Sequence, residues 1–325
     1  MKIVFFGTPN YVVPILQALH REFRGKGGRT PISAVVTQPP KPAGRKKIEI
    51  FSPIDNWAYK KKIPIYFDSS DLIKKSIEGE VGILAAYGAI IPKEVIDYFP
   101  KGILNIHPSL LPAWRGASPV QATLVAGDKI TGVTTIRLDE NLDHGPIISQ
   151  FKEEVQDQDT TNSLRDRLFE RSVEAIKTLL PAYLSGKITP REQAHKNATF
   201  TYLLKKDHGL IPPEYLESAI RGQSEDVKWE IEFIKNFFLQ PTPQVIERFI
   251  RAMQPWPVAW TYVQLTEKQK NSKTKKRLKI LKAHLEKSKV KSQRSKVRLV
   301  LDEVQLEGKS PVSWKQFKEA YNIQF

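Results

Sequence analysis

Residues 103–116 read ILNIHPSLLPAWRG, and residues 138–145 read LDENLDHG. The apolar run Gly102-Ile103-Leu104 leads into Asn105 and His107, which strand alternation places on one face, two residue steps or about 6–7 Å apart. Both side chains then point at one small substrate atom. Pro108 and Pro112 stop the strand from pairing further, so Ser109, Leu110, Leu111 and Pro112 leave the sheet as a shaped loop. With free backbone donors and acceptors, such a loop grips a planar polar ligand.

The strand implies a chemistry. Asn105 offers an uncharged amide donor, and His107 donates or accepts a proton near neutrality. Asp143, if the fold brings it close, holds or charges that imidazole. An amide and an imidazole donor stabilise a developing oxyanion, while a His–Asp pair takes the proton that an attacking amine must lose. This is an acyl-transfer set without a nucleophile, which suffices when the substrate brings its own nitrogen. Gly145 is expected to allow a backbone conformation that a side chain would resist. His144 is expected to face solvent.

Around this stretch the chain alternates strands and helices. Residues 2–6 form an apolar strand, 12–23 a helix, 32–37 a second strand, 81–86 a buried strand and 92–99 a helix. Tyr87 and Gly88 end the 81–86 strand on the carboxyl edge where Asn105 and His107 sit, and open parallel sheets bind ligands there. A helix over 117–126, strands over 131–138 and 147–152 and a long amphipathic helix over 160–184 follow. The pattern predicts an α/β fold, a mostly parallel doubly wound sheet with helices on both faces. The turn Gly7-Thr8-Pro9 has one glycine where the dinucleotide fingerprint wants three, which argues against a nicotinamide enzyme.

The run Asn-Ile-His-Pro-Ser-Leu-Leu-Pro, followed by Trp114-Arg115-Gly116 and then by Leu142-Asp143-His144-Gly145, resembles the 10-formyltetrahydrofolate-dependent formyltransferases. The resemblance implies a Rossmann-like catalytic domain in which Asn105, His107 and Asp143 are catalytic. Ser109, Leu110, Leu111 and Pro112, with Tyr87 and Gly88, would lie against the folate co-substrate. The loop Gln38-Pro39-Pro40-Lys41-Pro42-Ala43-Gly44-Arg45-Lys46-Lys47 is similar to one in the methionyl-tRNA formyltransferases, where the residue matching Arg45 engages the acceptor end of tRNA. Here Lys46 stands where that family usually has glycine. This loop favours initiator methionyl-tRNA as the amine substrate over a nucleotide-linked amino sugar or a ribonucleotide amine.

The chain has 325 residues, 40% of them hydrophobic and 10% aromatic, enough for two domains with real cores. It contains no cysteine, which excludes disulfides, thiolate catalysis and cysteine-ligated metal. No His, Asp or Glu spacing suggests a metal site. Met1 leads at once into a strand and no apolar run approaches 18 residues, so a cytoplasmic protein without a membrane partner is expected; a monomer is expected besides, on no sequence feature of its own.

The net charge of +16 asks for an anionic partner. Residues 268–298 hold 14 Lys and Arg against the single acidic Glu286, or +13 of that excess. Lys275, Lys276 and Arg277, with Arg45, Lys46 and Lys47, are the expected tRNA contacts. The composition shifts over 212–240, and the resemblance is weakest there and over 266–296. This divides the chain into a catalytic domain (1–185), a linker with a helical insertion (186–242) and a C-terminal domain (243–325). Residues 243–253 read as an amphipathic helix with Val245, Phe249 and Ala252 on one side and Glu247, Arg248 and Arg251 partly on the other. Short, evenly placed strands over 260–265, 278–283, 297–303 and 305–307 predict a small OB-like β-barrel.

Overall fold

A computed structural model describes residues 1–43, 47–267, 273–287 and 297–325 of the chain. β1 (Ile3–Gly7) is buried at every position, the mark of a strand covered on both faces. It is followed by α1 (Val13–Glu22), β2 (Ile32–Val36), the short hairpin β3 (Lys41–Ala43) and β4 (Ile48–Ile50), α2 (Pro53–Lys60), β5 (Ile65–Tyr66), α3 (Asp71–Lys74), β6 (Val81–Ala85), α4 (Lys93–Asp97), β7 (Ile103–His107) and the two-residue β8 (Arg115–Gly116). Next come α5 (Pro119–Ala126), β9 (Ile130–Arg137), β10 (Ile147–Glu154) and α6 (Thr161–Leu184).

The main sheet has the order β10-β9-β7-β6-β1-β2-β5. β1, β2, β5, β6 and β7 run parallel, whereas β9 and β10 are antiparallel to their neighbours. β7 therefore lies between a parallel neighbour, with Leu84 opposite Asn105, and an antiparallel one, with Ile136 opposite Asn105 and Thr134 opposite His107. The antiparallel turn matters for the site, because the β9–β10 connection carries Asp143 back to the face of β7. On one side of the sheet Phe6 meets Tyr87 and Phe99 edge-on, with ring centroids 5.8 and 6.0 Å apart. Val4, Val36, Leu72, Val95 and Ile103 fill the same cluster, each fully buried side chain stabilising it by about 1.5–3 kcal/mol.

Two compact units emerge. The first comprises residues 1–116, 130–154 and 165–199; the second comprises 117–129, 155–164 and 200–325. The boundary expected at 185 thus lies inside the third segment of the first unit, and α5 belongs with the C-terminal portion of the chain.

In the second unit, β11 (Phe200–Thr201) precedes α7 (Pro213–Ile220), β12 (Trp229–Glu230), β13 (Phe238–Leu239) and α8 (Pro243–Ala252). The segment expected as a helical insertion therefore holds one helix and the β12–β13 ladder. Thr242 caps α8 by accepting from the Val245 amide, and Pro243 occupies its first turn. Glu247 does not belong to a solvent face: it is buried and paired with Arg251 at 2.6 Å across one turn. The chain ends in β14 (Ala259–Glu267), β15 (Lys273–Lys287), β16 (Val297–Leu306), β17 (Val312–Ser313), α9 (Trp314–Ala320) and β18 (Tyr321–Gln324).

These last strands form one antiparallel sheet, ordered β17-β16-β15-β14-β18 and curled into a half barrel. The two strands expected over 297–303 and 305–307 are one strand. Buried positions in it step from Leu299 and Leu301 to Val304 and Leu306, so the alternation slips by one. The partner strand takes up the slip with a register shift at Lys282, as a β-bulge does. No helix among the described residues is long and apolar enough to cross a membrane.

Candidate active site

Asn105 and His107 converge on the two oxygens of one carboxylate. Asn105 Nδ2 donates to Asp143 Oδ1 at 3.1 Å, and His107 Nδ1 stands 3.5 Å from Asp143 Oδ2. The Gly116 amide donates to the same Oδ2 at 2.7 Å. His107 Nε2 lies 3.1 Å from the Trp114 carbonyl, which can only accept. The ring therefore carries a hydrogen on Nε2, and Nδ1 is the nitrogen turned to the carboxylate. All three side chains are buried, so charge appearing here is poorly screened by water.

The backbone around the site is under local strain. Asp143 has φ +47° and Trp114 φ +58°, values uncommon for residues with a side chain. Gly145, by contrast, is not left-handed. Its need for a missing side chain is steric: a Cβ there would overlap the Arg137 carbonyl oxygen. The Arg137 amide meanwhile donates to the Pro146 carbonyl at 3.0 Å, so the two chain segments are held in contact. Gly145→Ala is expected to destabilise the protein by about 1–3 kcal/mol, the usual cost of overpacking, and to lower turnover as the Asp143 loop lifts. Thermal unfolding and a turnover assay check both; an alanine variant with native stability would sink the close-approach account.

The Ser109–Pro112 loop differs from expectation. Its backbone groups are largely engaged: Thr134 Oγ1 donates to the Ser109 carbonyl at 2.7 Å and accepts from the Leu111 amide at 3.0 Å. Gln150 Nε2 donates to the Leu111 carbonyl at 3.1 Å, the Ala113 amide to Leu110 and the Thr199 amide to Pro112. Ser109 is buried, and its hydroxyl donates to the Ala113 carbonyl at 2.6 Å. The loop is thus shaped in advance by side chains from β9 and β10, and what it can present to a planar ligand is chiefly shape. Tyr87 has its ring in the core, where burial pushes its hydroxyl pKa up. Gly88, at φ +82°, leaves open space where a side chain would stand.

His144 does not simply face solvent. Its Nδ1 donates to Asp139 Oδ2 at 2.6 Å, which turns the ring onto that of His195, stacked at 3.9 Å and 10°. His195 Nδ1 accepts from Arg115 Nη2 at 2.8 Å. Burial lowers the Arg115 pKa, while Asp143 and Asp139 oppose that shift.

The residues expected to meet RNA fall in both units. Lys47 is exposed at the entry to β4, while Arg45 and Lys46 lie outside the described residues. In the second unit, Leu278 and Ile280 are buried, so Lys276 shares their strand parity, and Lys275 and Arg277 take the opposite one. The Arg277 guanidinium lies 3.5 Å over the Trp260 ring, and Lys275 Nζ lies 4.5 Å over Tyr262.

Residues 1–180 match the formyl transferase family model, and 237–322 match the model of the formyl transferase C-terminal domain. The chain belongs to the formyl transferase family. This formyl transferase is 36% identical over 268 residues to the methionyl-tRNA formyltransferase of Chloroflexus aggregans, covering 81% of the chain and 76% of that relative. It is 33% identical over 270 residues to the methionyl-tRNA formyltransferase of Buchnera aphidicola, with the same coverages.

Solved structures share the fold at low identity. The methionyl-tRNA formyltransferase from Clostridium thermocellum superposes with a TM-score of 0.51 at 18% identity, covering 93% of this chain and 99% of that one. An N-formyltransferase from Helicobacter canadensis, in complex with folinic acid and dTDP-3-aminofucose, gives 0.59 at 14% identity over 89% of each chain.

Sequence reading missed the support around this candidate site. Thr134 reads as an ordinary β-branched strand residue, and Gln150 as the polar half of an alternating strand. Arg115 lies within the quoted run but signals no partner. Gln193, in an irregular segment, gives no signal at all.

Proposed function

We propose that the chain transfers the formyl group of 10-formyltetrahydrofolate to the amino group of the methionyl residue on initiator methionyl-tRNA. The observation that carries this reading is the meeting of Asn105, His107 and Asp143 around one buried carboxylate, in a chain similar over four-fifths of its length to methionyl-tRNA formyltransferases. The amine nitrogen attacks the formyl carbon, and the new C–N bond leaves a tetrahedral oxyanion. Collapse breaks the bond to the folate nitrogen, and the proton lost by the amine ends on that nitrogen.

Asn105 spends one Nδ2 hydrogen on Asp143 and has a second for the oxyanion. His107 carries a donor on Nε2, and a developing oxyanion outcompetes the neutral Trp114 carbonyl for it, because bonds to charged acceptors are about twice as strong. Asp143 steadies the imidazolium and aids the proton on its way. The Ser109–Pro112 loop and Gly88 form one wall for the pterin, and no metal is needed for the step. Cytoplasmic location and a monomeric state complete the reading.

Labelled 10-formyltetrahydrofolate offered with charged initiator tRNA, charged elongator tRNA and a nucleotide-linked amino sugar tests the proposal. Label is expected on the initiator methionyl amine. Label on the sugar alone would overturn it.

The second unit would bring the RNA grip. Lys275 and Arg277 share a strand face with Tyr262, whose exposed ring lies under Lys275, while Arg277 packs over the buried Trp260, so two cations and one accessible aromatic ring coincide. With about five phosphate contacts, the log–log salt slope of tRNA binding should be on the order of −3.5 to −4.5. The pair Lys275→Ala and Arg277→Ala should flatten it by about two, measured by binding titrations from low to high salt. An unchanged slope would remove these two residues from the interface.

A further inference from the structure

Asp143 is held from behind as well as in front. Its side chain is fixed by Asn105 and Gly116, but its backbone sits at φ +47°, a conformation that costs free energy and persists only where the surroundings impose it. The group that imposes it is Gln193. Gln193 Nε2 donates to the Asp143 carbonyl at 2.9 Å and to the Gly145 carbonyl at 2.8 Å. Its Oε1 accepts from Arg115 Nη2 at 2.7 Å and Arg115 Nε at 3.3 Å.

The orientation of this amide is not arbitrary. Carbonyls only accept and a guanidinium only donates, so one of the two possible amide orientations satisfies all four contacts and the other satisfies none. Gln193 and Arg115 are both buried, where water cannot substitute for a lost partner at no cost. Arg115 and Gly116 are also adjacent in sequence. One end of this short run thus orients Gln193 and the other binds the Asp143 carboxylate directly.

We infer that Gln193 is a positioning residue for the catalytic carboxylate: oriented by Arg115, it pins the carbonyls on either side of His144 and so holds Asp143 in its strained conformation against His107. The inference rests on the proposed role of Asp143. Gln193 touches no reacting atom, so its loss should reach the chemistry only through Asp143.

Gln193→Glu is the decisive change. It keeps the shape and the acceptor for Arg115 but presents a carboxylate oxygen, in place of two N–H donors, to the two carbonyls. Expected are a kcat lower by about 10- to 100-fold, KM values for folate and tRNA within about twofold of native, and a folded protein by circular dichroism. Gln193→Met, neutral and without donors, should give the same split if the glutamate variant proves unstable.

A double variant separates positioning from general loosening. If Gln193 acts through Asp143, Asp143→Asn/Gln193→Glu is no slower than Asp143→Asn alone. Multiplying losses would overturn the inference, as would native kcat in Gln193→Glu beside a crippled Asp143→Asn. Native kcat in Asp143→Asn itself would instead sink the assignment of Asp143.

Discussion

Asparagine at position 143 should lower kcat by about 10³–10⁴ while leaving KM for both substrates near native, the scale on which an amide replacing a carboxylate behind a catalytic imidazole acts in other enzymes. The reason lies in the partners of the two oxygens. Oδ1 accepts from Asn105 Nδ2, and Oδ2 accepts from the Gly116 amide while facing His107 Nδ1. An amide has one oxygen and one NH2. Placed with its NH2 toward Gly116, it sets donor against donor; placed with its NH2 toward Asn105, it does the same unless the Asn105 amide turns over and gives up its donating orientation. Either way the donor set around position 143 is disturbed, and the negative charge that steadies a protonated His107 is gone. Single-turnover kinetics at saturating folate and tRNA measure the effect directly. A rate within tenfold of native would show that the proton travels without this carboxylate.

The parts of the site that could be read from the sequence are those written in strand periodicity and punctuation. Asn105 and His107 share a face because strands alternate, and Pro108 and Pro112 end the pairing for a local steric reason. The apolar runs 2–6, 32–37 and 81–86 announce buried parallel strands in the same way. What could not be read depends on residues distant in the chain. Gln193 meets Asp143 across 50 positions, and Thr134 meets Leu111 across 23; neither pairing leaves a periodic trace.

The same limit explains two reversals. The left-handed conformation falls on Asp143 and not on Gly145, because side-chain hydrogen bonds from another segment determine it. Lys275, Lys276 and Arg277 look like one cationic cluster along the sequence, yet the two-residue period of a strand sends Lys276 to the other face. In the first unit, therefore, the identity of the candidate groups is local information, while their rigidity is tertiary.

That division sets the expectation for Asn105. Asn105→Ala removes the proposed oxyanion donor and should reduce kcat by roughly 10²–10³, the cost found for single donors of this kind. It also strips Oδ1 of Asp143 of the Asn105 donor, so part of the loss is indirect. Aspartate at 105 separates the two contributions: it keeps the size but sets a second carboxylate beside Asp143, disfavouring ionisation of both together. Asn105→Asp should therefore be slower than Asn105→Ala near neutrality and regain rate as pH falls and one proton is shared between the carboxyls. If alanine and aspartate variants have equal, pH-independent rates, Asn105 acts on the formyl oxygen alone and its bond to Asp143 is incidental. If both retain native kcat, the oxyanion donor lies elsewhere.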